Sequence, residues 1–143
     1  MNLFKALTPK MMTFYLDTKT TIRQALEKFD VHKFSVVPII DEEGNYVTTV
    51  SEGDILRFIK NECDFNIRKA EDTLVMDIEH YRSYRALSQD GEDNEIIDLI
   101  MSQNFIPIVD DRGKYIGIIK RKEILRYLKD RALSDVNEWD ELK

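Results

Sequence analysis

The apolar residues of this chain fall into two periods that alternate along its length. Ile22, Ala25, Leu26 and Phe29 lie three and four residues apart, which predicts a helix. Thr21 and Gln24 precede it in capping-box spacing, with the hydroxyl placed to accept the N3 amide and the Gln to return to the cap amide. Val36–Ile40 is then an unbroken apolar run and reads as a strand. Asp41-Glu42-Glu43-Gly44 is a turn, with Gly44 free to take positive φ, and Tyr46–Val50 returns as the second arm of a hairpin. Ser51-Glu52-Gly53-Asp54 opens another helix, continued by Ile55, Leu56, Phe58 and Ile59. With Thr13–Leu16 as a short first strand, this half reads strand, helix, strand, strand, helix. Asn61–Thr73 is polar and aperiodic and reads as a linker.

The second half repeats the first. Val36-Val37-Pro38-Ile39-Ile40-Asp41, Gly44, Tyr46 and Asp54-Ile55-Leu56-Arg57-Phe58 recur as Phe105-Ile106-Pro107-Ile108-Val109-Asp110, Gly113, Tyr115 and Glu123-Ile124-Leu125-Arg126-Tyr127, at a constant offset of 69 residues. Upstream the match loosens. Tyr84–Leu87 is the expected first strand, Ser88–Asp93 a polar turn with Asp90 or Asp93 as N-cap, and Ile96, Ile97, Leu99, Ile100 and Met101 the helix. The connection from that helix to Pro107 is shorter than its counterpart by about two or three residues. The expected units are residues 8–62 and 73–130, with 63–72 as linker. Residues 1–12 are expected to be an irregular or short helical lead-in limited by Pro9, and 131–143 an acidic, frayed tail. A repeat cannot bury its apolar face alone, so two copies imply a pseudo-symmetric pair with a cleft between them.

Composition narrows the function more than the fold. The chain has 143 residues, enough for a real core, and a net charge of −6, which argues against non-specific nucleic-acid binding and against docking on anionic lipid. A local basic cluster remains able to bind a small anion. Cys63 is the single cysteine, and no apolar run reaches membrane-spanning length, so the expectation is a soluble protein of a reducing, cytoplasmic compartment. His32 and His80 are isolated, which argues against a metal site. Nucleophile elbow, P-loop and dinucleotide-fingerprint motifs do not occur.

An apolar pair before Pro, then Asp, Gly, a hairpin strand, Ser-x-x-Asp and Ile-Leu at the head of a helix: this combination, present twice with Lys-x-x-Glu in place of Ser-x-x-Asp in the second copy, resembles the CBS domain, and two in tandem resemble a Bateman module. The resemblance covers about residues 8–130. It implies an α/β (α+β) fold of two β-α-β-β-α repeats, packed sheet to sheet about a pseudo-two-fold axis with two clefts. It further implies a regulatory rather than catalytic protein without a cofactor, and binding of an adenosine compound: AMP, ADP, ATP, S-adenosylmethionine or cyclic di-AMP. A disk-shaped homodimer and an effector protein addressed in trans complete the expectation.

Carried over residue by residue, the resemblance places ribose hydroxyls on Asp54 and ribose or phosphate on Ser51. The same two residues make a helix cap, so both roles stay open. Phe14, Leu16, Val36, Val37 and Pro38 in the first half, and Tyr84, Arg85, Phe105, Ile106 and Pro107 in the second, border the base, although most are sheet or core residues in any case. Thr48 stands where the family has Gly, while Gly117 keeps it. Lys120-Arg121-Lys122-Glu123 replaces Ser/Thr-x-x-Asp: Lys120 or Arg121 is a candidate phosphate contact and Glu123 a longer ribose carboxylate. The alternative is a pair that no longer binds ligand and serves as a dimerisation or docking unit.

Overall fold

The computed structural model describes residues 2–32 and 35–141; Met1 of the lead-in and the last two residues of the tail lie outside them. In chain order the strands are β1 (Thr8–Pro9), β2 (Leu16–Asp17), β3 (Val36–Ile40), β4 (Tyr46–Ser51), β5 (Leu87–Ser88), β6 (Phe105–Val109) and β7 (Tyr115–Lys120). The helices are α1 (Ile22–His32), α2 (Glu52–Glu62), α3 (Ile67–Ala70), α4 (Asp93–Ile100) and α5 (Arg121–Glu141). One sheet runs β2-β3-β4 and the other β1-β7-β6-β5. The architecture is α+β, built from the expected repeated unit.

The hairpins repeat to the residue. Val36 pairs with Ser51 and Phe105 with Lys120, and every following rung keeps the same offset, including a bulge at Ile39/Ile40 and again at Ile108/Val109. The turns repeat too. Asp41 accepts the amides of Glu43 and Asn45 at 2.9 and 2.8 Å, and Asp110 those of Arg112 and Lys114 at 2.8 and 2.9 Å. Gly44 and Gly113 take φ of 87° and 81° between them, a region open to glycine at little cost. The two first strands pair in parallel with the centres of β3 and β6, Leu16 with Ile39 and Leu87 with Ile108. These spans of 23 and 21 residues differ by two, but the shortening falls in the helix, α4 having 8 residues to the 11 of α1, and not in the connection to β6 where the sequence suggested it.

The backbone amides that fill the Asp41 and Asp110 carboxylates hold both below the usual carboxylate range, the Asn45 and Lys114 amides foremost. A carboxyl group depressed in the folded state adds stability above its ordinary pKa and loses it as pH falls through the folded value. The resistance of the wild type to urea is therefore expected to fall as pH drops below about 4. Asp41→Asn with Asp110→Asn should flatten that part of the profile, and an unchanged acid limb would overturn the assignment.

Five further expectations need correction. The first strands are Leu16–Asp17 and Leu87–Ser88, starting three residues and ending one residue further along than Thr13–Leu16 and Tyr84–Leu87, because the residues before them leave the ladder to line the interface between the halves. The lead-in has the expected short helical turns, at Leu3–Ala6 and Lys10–Met12, but it also pairs with a sheet. Thr8 and Pro9 pair antiparallel with Ile118 and Gly117, so β1 is an edge strand of the second sheet. Leu3 is buried in the second core with Leu87, Ile106, Ile119 and Ile124. The linker folds as well: Cys63, Ala70 and Val75 enter the first core, α3 forms within it, and Thr21 bridges Leu74. The cap of α4 is Glu92, not Asp90 or Asp93, in a reciprocal box with Glu95. The tail is not frayed at Arg131, since α5 runs on to Glu141. Each half thus borrows the segment that leads into the other half.

The halves meet about a visible dyad. Asn45 bridges Lys114, its own repeat equivalent, and Tyr115 N donates to Gly44 O at 2.9 Å. Two equivalent tyrosines then cross over. Tyr46 Oη donates to the carbonyl of Tyr84, and Tyr115 Oη to Thr13 Oγ1 at 2.9 Å. Burial raises both phenols, Tyr115 to about 12, so each stays a neutral donor at ordinary pH.

Candidate functional site

Thr13 is the last residue of a 3-10 turn cap, and the chain beyond it passes along the interface between the halves. There it helps enclose a cavity of about 590 Å³. Val36, Val37 and Pro38 at the start of β3 form one wall, together with Phe14, whose ring stacks on His32 at 4.3 Å between centroids. Phe105, Asn104 and Ile118 form the opposite wall. Lys120 sits across the ladder from Phe105, so its side chain rises from the same face. Strand β7 ends at Lys120 and α5 begins at Arg121, and the turn of direction brings Lys122 to the same cavity. Met11 and Met12 stand at the rim, 97% and 77% exposed. The result is an apolar slot with two cations at one end, and no carboxylate among its lining residues.

The sequence candidates divide between this cavity and other places. Phe14, Val36, Val37, Pro38, Phe105 and Lys120 line it. Leu16 and Ile106 are buried in the first and second cores, and Pro107 is buried in β6. Arg121 turns away, its Nε donating to Ile100 O at 2.6 Å and its Nη1 to Asn104 Oδ1 at 3.0 Å. Glu123 pairs with Arg126 at 3.1 Å and lines a separate pocket beneath α5. Thr13, His32, Asn104, Ile118, Lys122, Met11 and Met12 were missed. The run Lys120-Arg121-Lys122 contained the signal for Lys122, but reading it requires knowing where the strand stops.

Ser51 and Asp54 make a complete capping box. Asp54 N donates to Ser51 Oγ at 3.0 Å, and Ser51 N to Asp54 Oδ2 at 2.9 Å. Asp54 Oδ1 accepts Arg57 Nη2 at 3.2 Å and the amide of Tyr81 at 3.1 Å, and the residue is 2% exposed. Both oxygens are therefore engaged within the chain. Tyr81 closes the site from outside, its ring 4.0 Å from the Arg57 guanidinium carbon. Tyr84 fills the space between the halves on this side, with its ring against Phe105 at 4.9 Å and its hydroxyl accepting Asn104 N at 3.3 Å. Gln103 clasps the backbone of Arg85, accepting its amide at 2.8 Å and donating to its carbonyl at 3.1 Å, and leaves the side chain exposed. Thr48 neither crowds a cavity nor sits idle: its hydroxyl meets Ser83 Oγ at 2.6 Å.

The sequence profile of the CBS domain matches residues 7–61 and 94–130, most of the chain and both repeats. The chain belongs to the CBS-domain family. Among solved CBS-pair structures, CbpB in complex with c-di-AMP superposes with a TM-score of 0.83 at 21% identity, over 96% of this chain and 91% of that one. CBSX2 in complex with AMP superposes with a TM-score of 0.70 at 25% identity, over 92% and 98%. A curated relative, inosine-5'-monophosphate dehydrogenase of Methanocaldococcus jannaschii, is 24% identical over 108 residues, 74% of this chain. The CBS pair spans only 20% of that enzyme's length. Among the described residues no group of side chains has the makings of a metal site, and no helix is long and apolar enough to cross a membrane.

Proposed function

We propose that this CBS pair is a regulatory module that binds an adenosine nucleotide in the cavity between its halves and signals in trans. The observation that carries this reading is the cavity itself: apolar walls of a size to hold a base, ended by Lys120 and Lys122. The base lies between the Val36–Pro38 wall and Phe105, and the lysines receive phosphate. Two structural relatives carry c-di-AMP and AMP, which supports the ligand class. The ligand acts by favouring one packing of the two halves, or of two modules in a homodimer, over another, and its effect is bounded by its differential affinity for the two states. The ribose role of Asp54 gives way to its role as a cap, because its acceptors are already filled.

Thermal unfolding against AMP, ADP, ATP, S-adenosylmethionine, cyclic di-AMP and their guanosine counterparts tests the proposal. Ligand at a hundred times its dissociation constant adds about 2.7 kcal/mol. An adenosine-selective rise in Tm is expected, and Lys120→Gln with Lys122→Gln should weaken binding about tenfold or more by removing two charge-assisted contacts. A panel without any shift, from protein freed of carried-over nucleotide, would favour the ligand-free docking unit instead.

A further inference from the structure

The outer ends of the two halves carry the same pocket twice, and only one copy is closed. Beneath α2 it is lined by Asp54, Arg57, Phe58, Asn61 and Glu62, and beneath α5 by Glu123, Arg126, Tyr127, Asp130 and Arg131, each at the repeat offset. The remaining wall comes in each case from the segment that leads into the other half, and its register can be counted. Thr8 pairs with Ile118 of β7. In the other half Thr49, the equivalent of Ile118, bonds Arg82 O and Tyr84 N on either side of Ser83. Thr8 and Ser83 are therefore equivalent. Five residues earlier stand Leu3 and Ile78, each buried in its own core. Two residues earlier stand Ala6 and Tyr81.

The aromatic lid of the first pocket is thus a methyl group in the second. The pocket volume is about 260 Å³ with Tyr81 in place and about 640 Å³ with Ala6. The exposures follow: Asp54 is 2% exposed and its equivalent Glu123 38%. Arg57 lies under a ring, whereas Arg126 keeps its Glu123 partner and faces the open space. The charge also differs. Asp54, Glu62, Asp77 and Glu79 outnumber Arg57 around the first pocket, whereas Lys5, Arg126 and Arg131 outnumber Glu123 and Asp130 around the second.

We propose that the pocket beneath α5 docks an aromatic side chain carried on an acidic segment of a protein partner. The first half supplies the template. A ring on the guanidinium face gains a cation–π contact, and the flanking acids that Asp77 and Glu79 represent there would meet Lys5 and Arg131 here. This site is separate from the nucleotide cavity and does not depend on it.

The test uses the full chain and, as probe, a synthetic peptide of residues 75–83, the chain's own acidic lid segment. Backbone amide shifts are followed by NMR up to millimolar peptide. Saturable shifts are expected at Lys5, Ala6, Arg126, Tyr127 and Asp130, weakened at least fivefold when Tyr81 of the peptide is Ala or when the protein carries Arg126→Ala. Ala6→Tyr, which supplies the ring in cis, should abolish peptide binding and raise Tm. Absent shifts, shifts elsewhere, or peptide binding unchanged in Ala6→Tyr would each overturn the proposal, whatever the nucleotide titrations give.

Discussion

Replacing Gly117 by Ala is expected to cost about 3 kcal/mol or more and to detach the lead-in from the second sheet. A Cβ at this position would lie 2.1 Å from Thr8 O and 3.0 Å from Leu7 Cδ1, and φ is +152°, where a side chain is strained whatever the space. The nearest obstacle is backbone, so a flexible side chain cannot give way. The sheet can relieve the overlap only by releasing the β1 rungs at Thr8 and Pro9. Leu3 would then leave the second core, with a cost of the kind that follows loss of a buried leucine. Met11, Met12, Thr13 and Phe14 follow β1 closely and line the cavity proposed for nucleotide, so ligand affinity should fall together with Tm. The pseudo-symmetric substitution, Thr48→Gly, should cost only about 1 kcal/mol for its bond to Ser83 and leave the cavity intact. Chemical denaturation and nucleotide titration of both variants check the contrast. Equal stabilities would show that β1 adapts.

Asp54→Ala should lower stability by about 2–4 kcal/mol, well beyond the loss of a simple cap. Its carboxylate serves three donors: the Ser51 amide, the Tyr81 amide and Arg57. Removing it leaves two amides and a guanidinium whose Nε already has no partner. Arg57 is 43% exposed and can reach water, which keeps the cost below that of a wholly buried ion pair. The equivalent Glu123→Ala should cost about 0.5 kcal/mol or less, because that pair is 38% and 55% exposed. Nucleotide affinity at the lysine-lined cavity should survive Asp54→Ala at temperatures where the protein stays folded. Loss of binding without loss of stability would return Asp54 to the ribose role its motif suggests.

The features legible in the sequence are those whose causes are local. The hairpins and both helix-opening boxes of the first half depend on residues near one another in the chain, and repetition doubled the hairpin signal. Thr8–Pro9 could not be read as a strand, since two residues carry no period and their partner lies more than a hundred positions away. The burial of Asp54 was hidden for a related reason. Ser-x-x-Asp announces a cap or a ligand equally well, and the choice is made by Tyr81, which arrives from a segment that reads as linker. Lys122 lay within a charge run that is ordinarily solvated, and only the end point of β7 aims it at the cavity.

The contact between Asn45 and Lys114 has one more consequence. On a true two-fold axis a residue can meet only itself, so a dimer of separate identical repeats would have to set Lys against Lys or Asn against Asn there. Joining the copies in one polypeptide lifts that restriction. Asn45 faces Lys114, and Lys114 Nζ reaches the carbonyl of Glu43 at 2.7 Å, a bond without a mirror image. The same freedom lets one half keep a tyrosine over its arginine while the other keeps an alanine. Covalent fusion is what allows a nearly symmetric body to hold two unlike pockets.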